Sequence, residues 1–356
     1  MGYNNGRWRR RTEMCAISAR PWKKGACISV KKACLQLLCA ALLLGLCACG
    51  GTKEYTAETY AFDTVISLTA YCGSREEFET LRSAVFGRMQ ELHKKFDIYN
   101  EYEGLNNLCT VNRLAGQAVP VDGDILELLA SALQAEKLTG GRVNIAMGRL
   151  FGLWKEARDT GVLPAEDAIR KAMRHGDPAD VLLDRENGTV TLLDPEMALD
   201  VGAVAKGWAA GQAVRAADEL ERTNFVLSAG GNVVVRGLVK DRLWKVGIRD
   251  PLSQDGTGHA AVVEATDMAL VTSGGYERNL TVDGRTYCHI IDPQTGWPAD
   301  KVLSATAVCE DSGRADALST ALFLMDAEEG IAFARENGFR AIVIDREGTV
   351  WDSEDR

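Results

Sequence analysis

The order of apolar and polar residues predicts a mixture of strands and helices after residue 58. Alternating positions rich in β-branched side chains predict one strand over Tyr60–Tyr71. In the next segment, SREEFETLRSAVFGRMQELHKKF, apolar residues recur at helical spacing behind Ser74, a typical helix N-cap. A second helix is predicted in DGDILELLASALQAEKLTGG, with Gly140 and Gly141 as its end.

The rest of the chain is richer in strands. A hairpin is predicted around Asn187–Gly188, a helix over 207–220, two strands separated by Gly230–Gly231, and a further turn at Asp283–Gly284. The segment SGRADALSTALFLM predicts a late helix, and AIVIDREGTVWD a final hairpin. Because no repeat and no Pro- or Ser-rich linker interrupts this series, we expect one compact α/β (α+β) domain with two lobes.

The N-terminal residues have the pattern of a targeting segment. Residues 1–48 hold nine Lys or Arg and one acid, and the charge-free run of 16 residues, 33–48, follows Lys31 and Lys32. This run is shorter than the roughly 18 to 20 residues that cross a bilayer. We therefore predict a signal peptide over 1–48; residues 1–13 precede Met14, a second candidate start.

The sequence Leu46–Cys47–Ala48–Cys49 resembles a bacterial lipobox. It predicts that Cys49 becomes the first mature residue and carries lipid, that 49–58 is a tether, and that 59–356 is the domain. The expected location is the extracytoplasmic face of the cell membrane. An uncleaved signal anchor is the alternative.

The net charge and the cysteine spacing argue against two classes of function, nucleic-acid binding and zinc binding. After residue 48 the chain holds 32 basic and 49 acidic residues, a formal charge of −17, which argues against nucleic-acid binding. Four cysteines remain beyond Cys49, and none stands in C-x-x-C spacing. We expect these four to be buried free thiols rather than zinc ligands: Cys72, Cys109, Cys288 and Cys309.

The segment LDVGAVAKGW, residues 199–208, combines glycines with a lysine before a predicted helix. Glycines let a backbone approach a ligand closely, and a helix N-terminus attracts anions. Lys206 adds a positive charge, although the lysine precedes its glycine and the segment is not a Walker A loop. Alternatively, Lys206 is only a solvated residue at the start of a helix.

The segment ADALSTALF places Asp316 and Thr320 four residues apart. On a helix they share one face, with Cβ atoms roughly 5 to 6 Å apart, and both offer the oxygen ligands that suit Mg²⁺. The alternative is that the Thr320 hydroxyl bonds back to its own helix.

Two further segments contain candidate polar groups. HIIDPQTGWP places His289, one of four histidines, at a strand end, where it either accepts a proton from a hydroxyl or only packs. Asp292 is expected to cap its own turn. TSGGYER contains the loop Ser273–Gly274–Gly275, able to approach a phosphate or a ring, and Arg278, which either binds ligand or pairs with an acid.

Four motifs in this order, LDVGAVAKGWA, LSAGGNVVVRG, TSGGYER with HIIDPQTGWP, and ADALSTALF, resemble the ApbE family of FAD:protein FMN transferases. The resemblance extends from about Tyr60 to Trp351. It implies a T-fold-like domain of mixed, mainly antiparallel sheets with flanking helices. Three places depart from the family pattern: Gly275 replaces the usual Asp, Val143–Asn144 replaces a frequent Phe-Asp, and Cys288 replaces the first of two histidines.

The resemblance also implies roles for individual residues. It implies that Asp316, Thr320 and the main-chain carbonyl of Ala203 bind Mg²⁺, and that His289 is the catalytic base. It implies flavin or FAD contacts at a set of residues from six segments: Phe62, Tyr99, Asn144, Ile145, Ala146, Asp200, Lys206, Ser273, Gly274, Ile290 and Ile291.

The implied reaction is Mg²⁺-dependent transfer of FMN from FAD to a Thr or Ser hydroxyl of an acceptor protein, with release of AMP. The implied acceptors are subunits of membrane redox complexes of the Rnf or Na⁺-translocating NADH:quinone oxidoreductase type, or extracellular flavoprotein reductases. One alternative is an FAD pyrophosphatase that forms FMN and AMP. Another is a flavin-binding lipoprotein without catalysis.

Overall fold

An eight-stranded sheet is the largest element in the computed structural model, which describes residues 51–253, 257–276 and 278–355. Every neighbouring pair in this sheet is antiparallel. The strands lie in this spatial order: β1 (Lys53–Ala61), β2 (Thr64–Cys72), β6 (Phe225–Ala229), β7 (Asn232–Arg236), β10 (Met268–Gly274), β13 (Val302–Cys309), β14 (Arg340–Asp345) and β15 (Val350–Asp352).

Smaller antiparallel sheets and helices complete the described part of the chain. The other strands are β3 (Ala118–Pro120), β5 (Thr189–Leu192) and β4 (Val181–Asp184) in one sheet, and the pairs β8 (Trp244–Arg249) with β9 (His259–Ala265) and β11 (Leu280–Val282) with β12 (Arg285–Tyr287). The helices are α1 (Arg75–Phe96), α2 (Leu108–Arg113), α3 (Gly123–Leu138), α4 (Gly148–Thr160), α5 (Glu166–Met173), α6 (Ala205–Asp218), α7 (Ser312–Phe323) and α8 (Ala327–Glu336).

The central sheet is covered on both faces. Along β10, Ala269 and Val271 join the main core beneath helices α1, α6 and α7, while Leu270 between them faces a second core. That second core contains Trp244 and Val263 of the β8–β9 hairpin. Successive side chains of a strand point to opposite faces, so one apolar run on β10 serves both layers.

A separate apolar cluster forms the smaller lobe. It contains Leu150 and Trp154 of α4, Ile169 of α5, Leu280 of β11 and Ile291 from the following loop. The residues from Thr52 onward nevertheless form one compact unit. The fold is therefore the expected two-lobed α+β arrangement with mainly antiparallel sheets.

Local sequence signals locate several elements correctly. Ser74 caps α1, because its hydroxyl accepts a hydrogen bond from the Glu77 amide at 3.2 Å. The predicted turns at Asn187–Gly188 and Asp283–Gly284 lie in the β4–β5 and β11–β12 hairpins, and Gly230–Gly231 separates β6 from β7.

The prediction of one strand over Tyr60–Tyr71 was wrong. The segment is a hairpin, with Phe62 and Asp63 between β1 and β2 at φ values of 53° and 54°. Two central residues with positive φ are typical of a tight hairpin turn, which usually contains Asn-Gly. The predicted helix 207–220 is also displaced, since α6 begins at Ala205 and ends at Asp218.

The predicted signal peptide over 1–48 and the lipidation site Cys49 lie outside the described residues. Across residues 51–253, 257–276 and 278–355, no helix is both long and apolar enough to span a bilayer. The four cysteines beyond Cys49 are free thiols, as expected. Three of them are buried, while Cys109 is partly exposed.

Candidate active site

The two segments LDVGAVAKGW and ADALSTALF meet where α6 packs on α7. The Gly207 amide donates a hydrogen bond of 2.7 Å to Oδ2 of Asp316, which lies 109 residues later in the chain. Gly207 is the third residue of α6, where an N-cap side chain ordinarily accepts this bond. Val204, at the N-cap, supplies no such bond, so Asp316 of α7 caps α6 from a distance.

This contact depends on the absence of a side chain at Gly207. A Cβ atom there would lie 2.3 Å from the Ser312 carbonyl oxygen, 2.5 Å from Asp316 Cβ and 2.9 Å from Asn232 Nδ2. The two nearest of these neighbours are a backbone oxygen and a Cβ atom, which cannot move aside without the helix that carries them. The glycine therefore brings the backbone of α6 against α7, as the sequence suggested for a close approach.

Asp316 is a buried carboxylate, with 4% of its surface exposed. Burial raises the pKa of Asp316, whereas the Lys206 charge and the Gly207 amide oppose that rise. Lys206 donates a hydrogen bond of 3.1 Å to the Gly202 carbonyl. Burial also raises the pKa of Asp200, and the Lys206 charge opposes that rise, so Lys206 stabilises the charged form of both carboxylates.

The oxygens around Asp316 fit a hard cation. The Gly207 amide is directed to Asp316 rather than to the Ala203 carbonyl four residues earlier, and no donor to that carbonyl is found in the described part of the chain. Thr320 Oγ1 donates its proton to the Asp316 carbonyl at 3.3 Å, so the lone pairs of the hydroxyl oxygen remain available to a cation.

Residues 51–253, 257–276 and 278–355 contain no group of three or more His, Cys, Asp or Glu side chains suited to a metal. A single carboxylate with carbonyl and hydroxyl oxygens is compatible with Mg²⁺, which keeps several waters and binds substrate phosphates. A buried carboxylate also requires a compensating positive charge. The residues present therefore fit Mg²⁺.

Asp200 lies beside the predicted segment Asn144–Ala146. The Asp200 amide donates to the Ile145 carbonyl at 2.9 Å, and the Ala146 amide donates to Asn144 Oδ1 at 2.9 Å. The Asp200 carboxylate accepts from the Gly202 amide at 2.8 Å. Burial raises the pKa of Asp200, opposed by that amide and by the nearby Lys206.

Tyr99 lies within electrostatic range of Asp200 and of Asp63, the residue that follows Phe62. Tyr99 is 58% exposed, and burial of its hydroxyl together with the charges of Asp200 and Asp63 raises its pKa. The Phe62 amide donates to His93 Nδ1 at 3.3 Å. Arg278 donates to the Asp63 carbonyl at 3.2 Å, so it joins the TSGGYER segment to the β1–β2 turn.

His289 lies two residues beyond β12 and is partly exposed, between the buried Cys288 and Ile290. Ile291 forms an isolated bridge with Pro298, and the Ala299 amide donates to the Ile290 carbonyl at 2.9 Å. These backbone bonds hold the loop that carries His289.

As predicted, Asp292 caps its own turn. Its Oδ1 accepts from the Gln294 amide, and its carbonyl accepts from the Gly296 amide, both at 2.8 Å.

Ser273 and Gly274 end β10 beside α7. The Ser273 hydroxyl is 2.9 Å from Ser319 Oγ and 3.4 Å from Thr320 Oγ1, so it faces the metal-side hydroxyls. A Cβ atom at Gly274 would lie 2.5 Å from the Tyr276 ring. The absence of a side chain at Gly274 therefore leaves room for that ring.

Three residues near the site were not predicted from the sequence. Asn112 fixes the start of the LDVGAVAKGW segment, because its side chain bonds both the amide and the carbonyl of Leu199, at 2.6 and 2.9 Å. Burial raises the pKa of Asp200 and of Tyr99, and the charge of Arg158 opposes both rises. Ser319, between the predicted Asp316 and Thr320, is fully buried. A polar residue among the apolar residues of a buried helix was the available signal for Ser319.

Known proteins share this arrangement over most of the chain. The sequence model of the ApbE family matches residues 62–343. The FAD:protein FMN transferase of Treponema pallidum is 33% identical over 316 residues, covering 83% of this chain and 86% of that protein. The enzyme of the same name from Haemophilus influenzae is 25% identical over 334 residues, which cover 89% of this chain and 94% of that protein.

Solved structures agree with the sequence comparison. The ApbE protein of Thermotoga maritima has a TM-score of 0.76 at 28% identity, covering 85% of this chain and 97% of that one. The flavin transferase ApbE of Vibrio cholerae shares the fold, with a TM-score of 0.74 at 24% identity, over 85% and 98%. With the family model spanning most of its length, this chain belongs to the ApbE family.

Proposed function

We propose that this protein transfers FMN from FAD to a Thr or Ser hydroxyl of an acceptor protein, with Mg²⁺ as cofactor and AMP as the second product. The transfer of FMN to protein is the activity for which its relatives are named. The observation that carries the proposal is the contact between Gly207 and Asp316, which places a helix N-terminus, a lysine and a buried carboxylate at one point.

The chain's own groups suit a diphosphate substrate. The α6 N-terminus and Lys206 provide positive electrostatic potential, which stabilises phosphate charge during phosphoryl transfer. Asp316, Thr320 and the Ala203 carbonyl would hold Mg²⁺, which neutralises charge on the diphosphate oxygens. Asp200 and the backbone of Asn144–Ala146, which lie together, would contact FAD.

In the proposed reaction the acceptor hydroxyl attacks the FMN phosphorus. The bond between that phosphorus and the bridging oxygen breaks, and the oxygen leaves with AMP. His289 would accept the hydroxyl proton as general base. Its partly exposed position beyond β12 permits access by a second protein. The product is a phosphoester between FMN and the acceptor.

We further propose that the mature protein is lipid-anchored through Cys49 at the extracytoplasmic face of the membrane. The lipobox-like sequence and the short apolar run before it support this location. The proposed acceptors are redox subunits at that face, of the Rnf or Na⁺-translocating NADH:quinone oxidoreductase type, or extracellular flavoprotein reductases.

One incubation distinguishes the candidate activities. The purified protein is mixed with FAD, Mg²⁺ and a candidate acceptor subunit, followed by in-gel flavin fluorescence and measurement of AMP. Covalent fluorescence with equimolar AMP is the expected result. Free FMN with AMP and no labelled acceptor would identify a pyrophosphatase, and intact FAD would exclude both enzymes and leave a binding protein. An acceptor with its target Thr changed to Ala is the control.

A further inference from the structure

Three hydroxyl groups form a connected cluster beside the proposed cation site. Ser319 Oγ is 2.9 Å from the Asp316 carbonyl oxygen and 2.9 Å from Ser273 Oγ. Thr320 Oγ1 is 3.4 Å from Ser273 Oγ and 3.3 Å from the same carbonyl. Ser319 is fully buried and Thr320 partly exposed, so the cluster extends from the protein interior to the site.

Counting protons assigns a direction to these bonds, since each hydroxyl has one proton and a carbonyl only accepts. The Ser319 proton goes to the Asp316 carbonyl, so the bond between Ser273 and Ser319 uses the Ser273 proton. Ser273 then has no proton for Thr320. The single Thr320 proton is therefore directed to the Asp316 carbonyl or to Ser273 Oγ, and in either case it points into the protein.

We propose that Ser319 is a positioning residue that keeps the Thr320 hydroxyl oriented as a cation ligand. This inference rests on the proposed Mg²⁺ site. A neutral hydroxyl binds a cation through a lone pair, with its proton directed away. Ser319 maintains this orientation because its oxygen accepts the Ser273 proton, which is then not donated to Thr320. Ser319 itself is not a proposed ligand.

Removal of the Ser319 hydroxyl changes the proton arrangement at Thr320. In Ser319→Ala the Ser273 proton loses its acceptor, and among the described residues Thr320 Oγ1 is the other hydroxyl that Ser273 contacts. Donation from Ser273 would then occupy one of the two Thr320 lone pairs and compete with the cation for that oxygen. Residues that orient metal ligands typically contribute tenfold to a hundredfold in affinity.

The test measures Mn²⁺ binding, with Mn²⁺ alone as the probe, by the paramagnetic resonance signal of free Mn²⁺. We expect Ser319→Ala to raise the dissociation constant on the order of tenfold. The double variant Ser319→Ala/Ser273→Ala should recover most of the affinity, because it also removes the competing donor. A loss of packing alone would not be repaired by a second deletion.

Two single variants complete the design. Ser304→Ala is the matched control, because Ser304 is a buried serine paired with Gly274 whose hydroxyl has no partner among the described residues. It should bind Mn²⁺ like the wild type. Ser273→Ala should also stay within about twofold, since Thr320 still donates to the Asp316 carbonyl. This variant tests the proposal even where Ser319→Ala does not fold.

Equal affinities of Ser319→Ala and Ser304→Ala would overturn the positioning role, as would a double variant weaker than Ser319→Ala. A tenfold loss in Ser273→Ala would overturn it as well. If the wild-type protein itself bound no Mn²⁺, the cation site of the proposed function would fail first, and the role of Ser319 with it. Flavin transfer by the wild type is measured separately with Mg²⁺.

Discussion

The contact between α6 and α7 can be tested by adding one methyl group at Gly207. In Gly207→Ala the new Cβ would lie 2.3 Å from the Ser312 carbonyl oxygen and 2.5 Å from Asp316 Cβ. Both atoms belong to a buried helix, so relief requires the two helices to separate. Their separation lengthens the 2.7 Å bond between the Gly207 amide and Asp316.

The expected loss of stability combines three terms. Overpacking a filled core costs about 1 to 3 kcal/mol. A hydrogen bond to a charged group contributes about 1.5 to 3 kcal/mol. Alanine gains about 1 kcal/mol over glycine in a helix interior. We therefore expect Gly207→Ala to lower the free energy of unfolding by about 3 kcal/mol.

Gly211→Ala is the matched control, one turn later on the same helix. A Cβ there would meet only Ser312 Cβ, at an ordinary distance of 3.9 Å. Urea unfolding should show Gly211→Ala as stable as the wild type or more stable by up to about 1 kcal/mol. If the free energy of unfolding of Gly207→Ala lay within about 0.5 kcal/mol of that of Gly211→Ala, the close approach of the two helices would be refuted.

Two other predictions concern groups away from the site. Burial raises the pKa of Cys309 to about 11, so at pH 8 mass spectrometry should find Cys309 alkylated far more slowly than the partly exposed Cys109; equal rates would contradict this. Burial alone would raise the pKa of Asp124, but hydrogen bonds from Arg88 and Lys95 hold it below its usual value. Asp124→Asn should therefore lose about 1 to 3 kcal/mol in urea unfolding at pH 7. The folded pKa is the lower one, so this deficit should shrink below about pH 4; a constant deficit would refute the ion-pair explanation.

Elements with strong local signals were predictable from the sequence. Ser74 with acidic residues in the following turn marks α1, and Asn187–Gly188 marks a hairpin, because cap and turn chemistry depend on adjacent residues. The β1–β2 turn lacks such a signal. Phe62 and Asp63 occupy positive φ without glycine, and Phe62 packs on His93, 31 residues later. That contact is not visible in a local pattern.

The start of α6 was mispredicted for a related reason. No local side chain caps this helix in the described structure, because Asp316 supplies the cap from 109 residues away. The sequence indicated both segments of the candidate site, LDVGAVAKGW and ADALSTALF. Neither segment alone shows that it contacts the other. Likewise, the Ser319 hydroxyl acquires a role only when β10 brings Ser273 against α7.

The most direct test of the central claim is the intact mass of the acceptor protein after incubation with FAD, Mg²⁺ and either wild-type protein or Asp316→Ala. The wild type should add the mass of one FMN less one water to the acceptor. Asp316→Ala should leave the acceptor mass unchanged, because the buried carboxylate that joins α6 to the cation site is gone. An equal extent of FMN addition by Asp316→Ala would contradict the account.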